Sequence, residues 1–254
     1  MKSYCLGSSS SGNCFVLTFE TEDKSYTRSI MVECGFTLTE IMQKMLIQNI
    51  SLNDIECCLV THGHKDHNRA IAELDKRFIP VYATKTTLIS TKVNYHDILP
   101  NKEENIAPSI FILPFSVEHD IEGSVGFIIY CEKTKERVLF INDCKYTKAD
   151  LSQFEFDYVF IECNHTAKVV YTLYNKAVKE HDIKNMGRYK RLIEAHMSER
   201  GTIKTLKNLN LKKCKAIFLM HLSDGHANEY EMKNEIKKET GIPTFVCQKN
   251  GGIK

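Results

Sequence analysis

The 254-residue chain contains no run of 18 apolar residues, which excludes a helix long enough to cross a bilayer. It has only five prolines and no Gly/Ser/Pro-rich linker or internal repeat. Nothing therefore divides it, and one domain over residues 1–254 is expected. An excess of charge of either sign is also missing: 34 Lys and Arg stand against 32 Asp and Glu, for a net +2. With 43% apolar residues, that balance excludes a disordered chain, and the length suffices for a substantial core. The opening Met1-Lys2-Ser3-Tyr4-Cys5-Leu6 lacks the apolar stretch of a signal peptide, so a cytoplasmic protein is expected. Ten cysteines are present, yet none forms a C-x-x-C pair, which argues against a zinc ribbon or a thioredoxin-like motif. Most lie in apolar runs such as Cys57-Cys58-Leu59-Val60 and read as reduced, buried thiols.

Patterning places the elements. Residues 4–6 read as a short strand, Gly7-Ser8-Ser9-Ser10-Ser11-Gly12-Asn13 as a loop, and residues 14–19 as a second strand. Strands at 29–33 and 55–60 follow, the latter a short apolar run of buried type. Between them, Leu38, Ile41, Met42, Met45 and Leu46 recur at helical spacing. Residues 37–48 thus form an amphipathic helix that Thr37 or Thr39 can cap. A further helix is expected over 68–78. The middle is rich in β-branched and aromatic residues, with strands at 110–113, 127–131, 138–141 and 158–161 and a hairpin tip at 132–136. Helices at 186–196 and 199–209, a strand at 216–220, a helix at 228–239 and a strand at 244–246 close the chain. Strands and helices alternate around an antiparallel-looking centre, which defines a mixed α/β (α+β) class.

One segment is dense in metal-binding side chains: Thr61-His62-Gly63-His64-Lys65-Asp66-His67. On an extended backbone His62 and His64, two apart, point to the same side. Asp66 and His67 follow where the helical pattern begins, so one turn can feed two adjacent cations. Imidazole suits zinc, and carboxylate suits zinc or a harder ion such as manganese. The alternative, a solvated His-rich loop, fits poorly with an apolar strand ending at Val60 immediately before it.

This segment resembles the H-x-H-x-D-H signature of the metallo-β-lactamase superfamily. Later positions match in order: His119 in Val117-Glu118-His119-Asp120, Asp143 in Phe140-Ile141-Asn142-Asp143, and His221 in Leu219-Met220-His221-Leu222-Ser223. The resemblance implies an αβ/βα sandwich holding two divalent metal ions, Zn2+ or Mn2+. It assigns His62, His64 and His119 to one ion and Asp66, His67 and His221 to the other, with Asp143 bridging. A closer resemblance is to the YycJ/WalJ-like branch of exonucleases and phosphodiesterases. It is carried by Leu6-Gly7-Ser8-Ser9-Ser10-Ser11-Gly12-Asn13, Ile161-Glu162-Cys163-Asn164-His165, Ala195-His196-Met197-Ser198-Glu199 and His221-Leu222-Ser223. The chain departs from that branch in three places. Glu33-Cys34-Gly35 replaces Asp-x-Gly, Glu199 replaces the Asn of His-Leu-Ser-Asn, and Thr166 replaces an Asp after Asn-His. These departures spare the metal ligands and bear on substrate preference.

Two ions about 3.5–4 Å apart acidify a bridging water and polarise a phosphoryl oxygen. The implied reaction is hydrolysis by a metal-bridging hydroxide that Asp66 orients or whose proton it briefly holds. The leaving oxygen needs a proton, for which His196 is the candidate; the competing reading is that His196 caps or packs its helix. His165 is a candidate substrate contact or a support for the ligands. Backbone N–H groups of the Ser/Gly loop can cradle an anion, which makes Ser8 and Asn13 candidate substrate-binding residues, although such loops are more often plain turns. His96, His181 and His226 have no partner spacing and read as surface groups.

Residues 176–215 carry twelve Lys and Arg against four Asp and Glu. Such a surplus suits a phosphate-bearing substrate, or else decorates solvated helix faces. Apart from Tyr189 it offers no aromatic platform, which speaks against sequence-specific readout. The expected activity is a metal-dependent phosphodiesterase acting on nucleic acid, as an exonuclease. The alternative is a small-molecule hydrolase of the same fold, first a cyclic-nucleotide phosphodiesterase. A non-catalytic binding module is disfavoured by the complete set of seven ligands. The expected partners are the nucleic acid or cyclic nucleotide substrate and no membrane; a homodimer is a family-level expectation only.

Overall fold

The structure, a computed structural model, describes residues 1–88 and 93–254. Strands β1 (Lys2–Ser9), β2 (Gly12–Glu20) and β3 (Thr27–Val32) form an antiparallel meander. Helix α1 (Leu38–Ile47) then begins at a reciprocal cap, in which Thr37 Oγ1 accepts from the Glu40 N–H and Glu40 accepts from the Thr37 N–H. Strands β4 (Ile55–Leu59), β5 (Val81–Ala83) and β6 (His96–Asp97) join the same sheet in parallel, in the order β1-β2-β3-β4-β5-β6. Between β4 and β6 lie α2 (Lys65–Asn68), α3 (Ile71–Asp75) and α4 (Lys85–Leu88).

The second sheet has the order β13-β12-β11-β10-β9-β8-β7. Strands β7 (Glu104–Ala107), β8 (Ile110–Ser116), β9 (Val125–Cys131) and β10 (Glu136–Ile141) pair antiparallel. Strands β11 (Tyr158–Glu162), β12 (Ala216–Met220) and β13 (Thr244–Val246) continue in parallel. Helices α5 (Ala167–Lys179), α6 (Ile183–Ala195) and α7 (Glu199–Lys207) separate β11 from β12, and α8 (Glu229–Thr240) separates β12 from β13.

Period-two alternation builds the layers. On β2, Phe15, Leu17 and Phe19 enter a core shared with Phe127, Phe140 and Phe160 of the opposing sheet. The intervening Cys14 and Val16 face outward and pack beneath Ile41 and Met45 of α1 and Leu74 of α3. The second sheet repeats the device: Leu139, Ile161 and Leu219 face Leu206 of α7 and Met232 and Ile236 of α8. Both faces of both sheets are thus covered, giving helix, sheet, sheet, helix, the metallo-β-lactamase sandwich in a single domain. Among the described residues no helix is long and apolar enough to cross a membrane, and the cysteines are free thiols, all buried except the half-buried Cys214.

Three local expectations differ from the structure, and one helix was not expected. The Gly/Ser stretch is no open loop: β1 and β2 pair through Gly7–Cys14, Ser8–Asn13 and Ser9–Gly12, leaving only a tight turn at Ser10-Ser11. Its glycines serve close approach, since a Cβ at Gly7 or Gly12 would come within 2.4 Å of the Phe36 ring. The helix expected over 68–78 is two short helices, α2 starting earlier at Lys65. The break comes at Ala70, whose N–H bonds to Cys34 O outside the helix while Cys34 N–H bonds to His67 O. Helix α5 was not among the expected elements; it buries only Ala167, Val170 and Ala177. His226 is buried, with Nδ1 3.0 Å from Ser223 Oγ and its ring against Tyr189.

Candidate metal centre

The site gathers at the carboxyl ends of parallel strands, where chain termini of several elements converge. His62 follows β4, Asp143 follows β10, Glu162 ends β11 and His221 follows β12. His119 comes from the β8–β9 connection, and Asp66 and His67 from α2. The backbone is bent hard to aim these groups: Glu33, Asp143 and His221 all have left-handed φ, of 66, 46 and 56°, which non-glycine residues adopt at a cost of about 1–3 kcal/mol each. Gly35 lets the β3–α1 loop touch α2, because a Cβ there would lie 1.7 Å from the Asp66 carbonyl oxygen.

All seven expected ligands come together. His62 Nε2 is 3.0 Å from His64 Nδ1, which is 3.4 Å from His119 Nε2. His67 Nε2 lies 3.5 Å from Asp66 Oδ2 and 3.3 Å from Asp143 Oδ2, and Asp143 Oδ1 is 2.9 Å from His221 Nδ1. The ligand atoms of His62, His64 and His119 lie within 4.8 Å of one another, as do those of His62, His67 and Asp143. A third such group joins Asp143 and His221 to Glu162 and His196.

Hydrogen bonding behind the ligands assigns the tautomers. Thr61 Oγ1 donates to Glu33 Oε1 at 2.5 Å, so it accepts from His62 Nδ1–H at 2.8 Å. His119 Nδ1–H donates to the Ala195 carbonyl at 2.9 Å. His64 Nε2 faces Asp120 Oδ1 at 3.5 Å. His62 is thus left with its lone pair on Nε2, while His119 Nε2 lies 3.0 Å from Asp120 Oδ1 as well as facing His64. Imidazole nitrogens facing one another at 3.0 and 3.4 Å, with a carboxylate oxygen beside them, form a donor set that a shared cation can bridge. The buried His221 Nε2 has no hydrogen-bond partner. The donor set thus fits divalent cations, and this is a metal-binding site of His and Asp residues in a metallo-hydrolase fold.

Electrostatics divide the cluster. Burial, and then His67 nearby, holds His62 well below the usual imidazole range, and burial lowers His64 as well. Burial also opposes charge on His67, but Asp143 and Glu33 outweigh it and keep His67 well above that range. At Asp143 burial favours the neutral acid and is overcome by His221 and His67, so the carboxylate stays ionised. His221, buried yet flanked by Asp143 and Glu162, rises to about 10. His196 is raised in the same way by Glu162, whose Oε1 is 2.6 Å from His196 Nδ1. Glu162 itself falls to about 2, because His196 and the bond to His221 overcome its burial.

The remaining expected residues take different places. Ser8 and Asn13 are buried behind the ligands: Ser8 Oγ accepts the His221 backbone N–H at 2.8 Å, and Asn13 Nδ2 lies 3.1 Å from His67 Nε2. Of that hairpin only Ser10 lines the pocket over the cluster. His196 borders this pocket, of about 460 Å3, together with Asp66, Arg188 and Arg191. His165 does not line it; it borders a second cavity that His196 also lines. Sequence reasoning gave no role to Glu33, Glu162, Asp120, Arg188 or Arg191. Glu162 left one signal, an acid closing the otherwise apolar run Tyr158–Glu162.

Residues 28–222 match the model of the beta-lactamase superfamily domain, and the chain belongs to that superfamily. Solved structures of similar fold include the metallo-beta-lactamase fold protein YhfI from Bacillus subtilis, at 14% identity and a TM-score of 0.69, covering 99% of this chain and 98% of that one. Zn2+-bound PqqB from Methylobacterium extorquens is similar at 14% identity and a TM-score of 0.69, covering 100% and 99%. The short form of human tRNase Z is similar at 14% identity and a TM-score of 0.63, covering 100% and 98%. No curated protein matches the chain.

Proposed function

We propose that the chain is a metal-dependent phosphodiesterase acting on nucleic acid, with two divalent ions, zinc or manganese, held by His62, His64, His119, Asp66, His67, Asp143 and His221. The observation that carries this reading is the pocket itself. Its floor is the cation-binding cluster, and its wall presents Arg188 and Arg191. A cation floor and a guanidinium wall together suit an anion with several oxygens, such as a phosphoryl group. Two of the folds that resemble this one belong to proteins named tRNase Z and Zn2+-bound PqqB, in keeping with the reaction class and the ion.

When bound, the ions supply Lewis-acid polarisation of the phosphoryl oxygens and acidify water. The chain's own groups do the rest. Arg188 and Arg191 orient the phosphate; Arg191 is itself fixed by its Nε, 2.8 Å from Asp120 Oδ2. Asp66, whose carboxylate is held ionised by His67 against its burial, accepts the proton of the attacking water. His196, kept protonated by Glu162, gives a proton to the leaving oxygen. Glu33, through Thr61, keeps the His62 ring in the tautomer that presents Nε2. The YycJ/WalJ-like resemblance is compatible with end-cutting action.

The test is end-labelled single- and double-stranded DNA and RNA, incubated with protein loaded with zinc or manganese, beside a panel of cyclic mono- and dinucleotides. Release of labelled products from the oligonucleotides is expected. Turnover of the cyclic panel alone would redirect the reading to a small-molecule phosphodiesterase, and cleavage of neither class with either metal would overturn it.

A further inference from the structure

A cavity of about 810 Å3 adjoins the catalytic pocket, and His196 lines both. That volume lies in the roughly 300–1,000 Å3 range of ligand sites. Its wall is assembled from distant parts of the chain: Lys145 and Tyr146 after β10, Tyr171 on α5, and Lys204 on α7. The two tyrosines are 43% and 51% exposed, so their rings are open to a ligand, and their hydroxyls make no hydrogen bond among the described residues. Lys148 stands 5.9 Å from the Tyr146 ring centroid and pairs with Glu118. Lys145 and Lys204 by contrast have no ion-pair partner among the described residues, and Asp150, the acid on this wall, is already engaged by Ser152. The nearly buried His165 borders the same space, with Nδ1 held 3.3 Å from Asn164 Oδ1. Two unpaired cations beside two open aromatic rings match one nucleotide unit, whose base stacks and whose phosphate is anionic.

The position of His196 fixes how such a unit connects. A diester whose phosphorus sits over the metal cluster must pass one ester oxygen beside His196 to enter this cavity, and that is the oxygen His196 would protonate. We infer that the cavity beyond His196 seats the leaving nucleotide, so that the substrate is at least a dinucleotide and this side of the scissile phosphate is read by Tyr146, Tyr171, Lys145 and Lys204. The assignment rests on the phosphodiester reading of the adjoining pocket. It also supplies the aromatic platform that residues 176–215 lack, since both tyrosines lie outside that segment.

Binding is measured apart from turnover so that the two readings fail separately. Calorimetric titration compares 5′-phosphorylated dithymidine carrying a non-hydrolysable methylenephosphonate in place of its internal diester with thymidine 5′-monophosphate on the metal-loaded protein. The dinucleotide binds more tightly in the wild type, and the ratio of the two affinities falls about tenfold in Tyr146→Ala and in Lys204→Glu, the loss expected of one stacking or phosphate contact. Tyr146→Phe and Lys204→Arg, which keep ring and charge, retain the ratio and control for folding. A wild-type chain that binds both ligands equally, or variants that leave the ratio unchanged, would overturn the assignment even if oligonucleotides are cleaved. Cavity-dependent binding without any hydrolysis would uphold it and overturn the proposed activity instead.

Discussion

Glu162 illustrates how a residue remote from solvent governs one that meets substrate. It accepts the backbone N–H groups of Cys144 and Met197, is in contact with both His196 and His221, and so locks three loops while holding His196 protonated. If His196 protonates the leaving oxygen, His196→Ala lowers kcat by about 10²–10⁴ for an ordinary nucleoside leaving group. It costs far less for p-nitrophenolate, which leaves without a proton; a series of aryl diesters measures the difference. His165 permits a second prediction. Burial pulls its pKa down to about 4, so the unfolded chain takes up a proton near 6.5 that the folded chain refuses. Stability is therefore full above pH 6.5 and is lost as pH falls toward 4, by about 2–3 kcal/mol at pH 4.5. Urea titrations at pH 7 and 4.5 should show that loss shrink in His165→Asn. At this scale the contiguous run from His62 to His67 was legible because its chemistry is local. Glu33, Arg188 and Arg191 were not, since only the closed fold gives them partners.

At the scale of elements, the approach of the β3–α1 loop to α2 sets the position of Asp66 and His67. Gly35→Ala would drive a methyl group into the Asp66 backbone, which cannot yield as a side-chain tip can. The expected result is a loss of bound metal, read by elemental analysis, together with destabilisation of about 2 kcal/mol or more, in the range of overpacked sites. Helix α1 offers a milder contrast. Thr37→Ala removes the reciprocal cap and should cost about 1 kcal/mol in chemical denaturation while leaving metal content intact. Period and capping made α1 readable in advance. The β1–β2 hairpin was misread because its glycines look like turn formers, whereas the Phe36 ring above them requires bare backbone. Strands β5 and β6 carry three and two residues, too few for alternation to stand out.

Across the whole molecule, metal and fold are linked. A buried cluster of converging imidazoles and carboxylates is stabilised by an ion that binds the folded chain alone, so removal of metal should lower stability. An ion at a hundred times its dissociation constant adds about 2.7 kcal/mol, which for a chain of this size corresponds to a drop of several degrees in Tm on chelation. Scanning calorimetry with and without a chelator, followed by zinc or manganese restoration, measures it. The layered architecture was foreshadowed by alternating apolar runs and by the order of ligands along the chain. The helical hairpin of α5 and α6 was only half visible, because it buries little and owes its place to the pocket it walls.

The metal-binding residues lie on both sides of the seam between the sheets. His62, His64, Asp66 and His67 precede β7, and His119, Asp143 and His221 come after it. Severing the chain in the connection at residues 99–103 would yield two fragments, each with an incomplete coordination sphere. Retained metal would then announce their reassembly, which makes this protein a natural substrate for split-protein complementation.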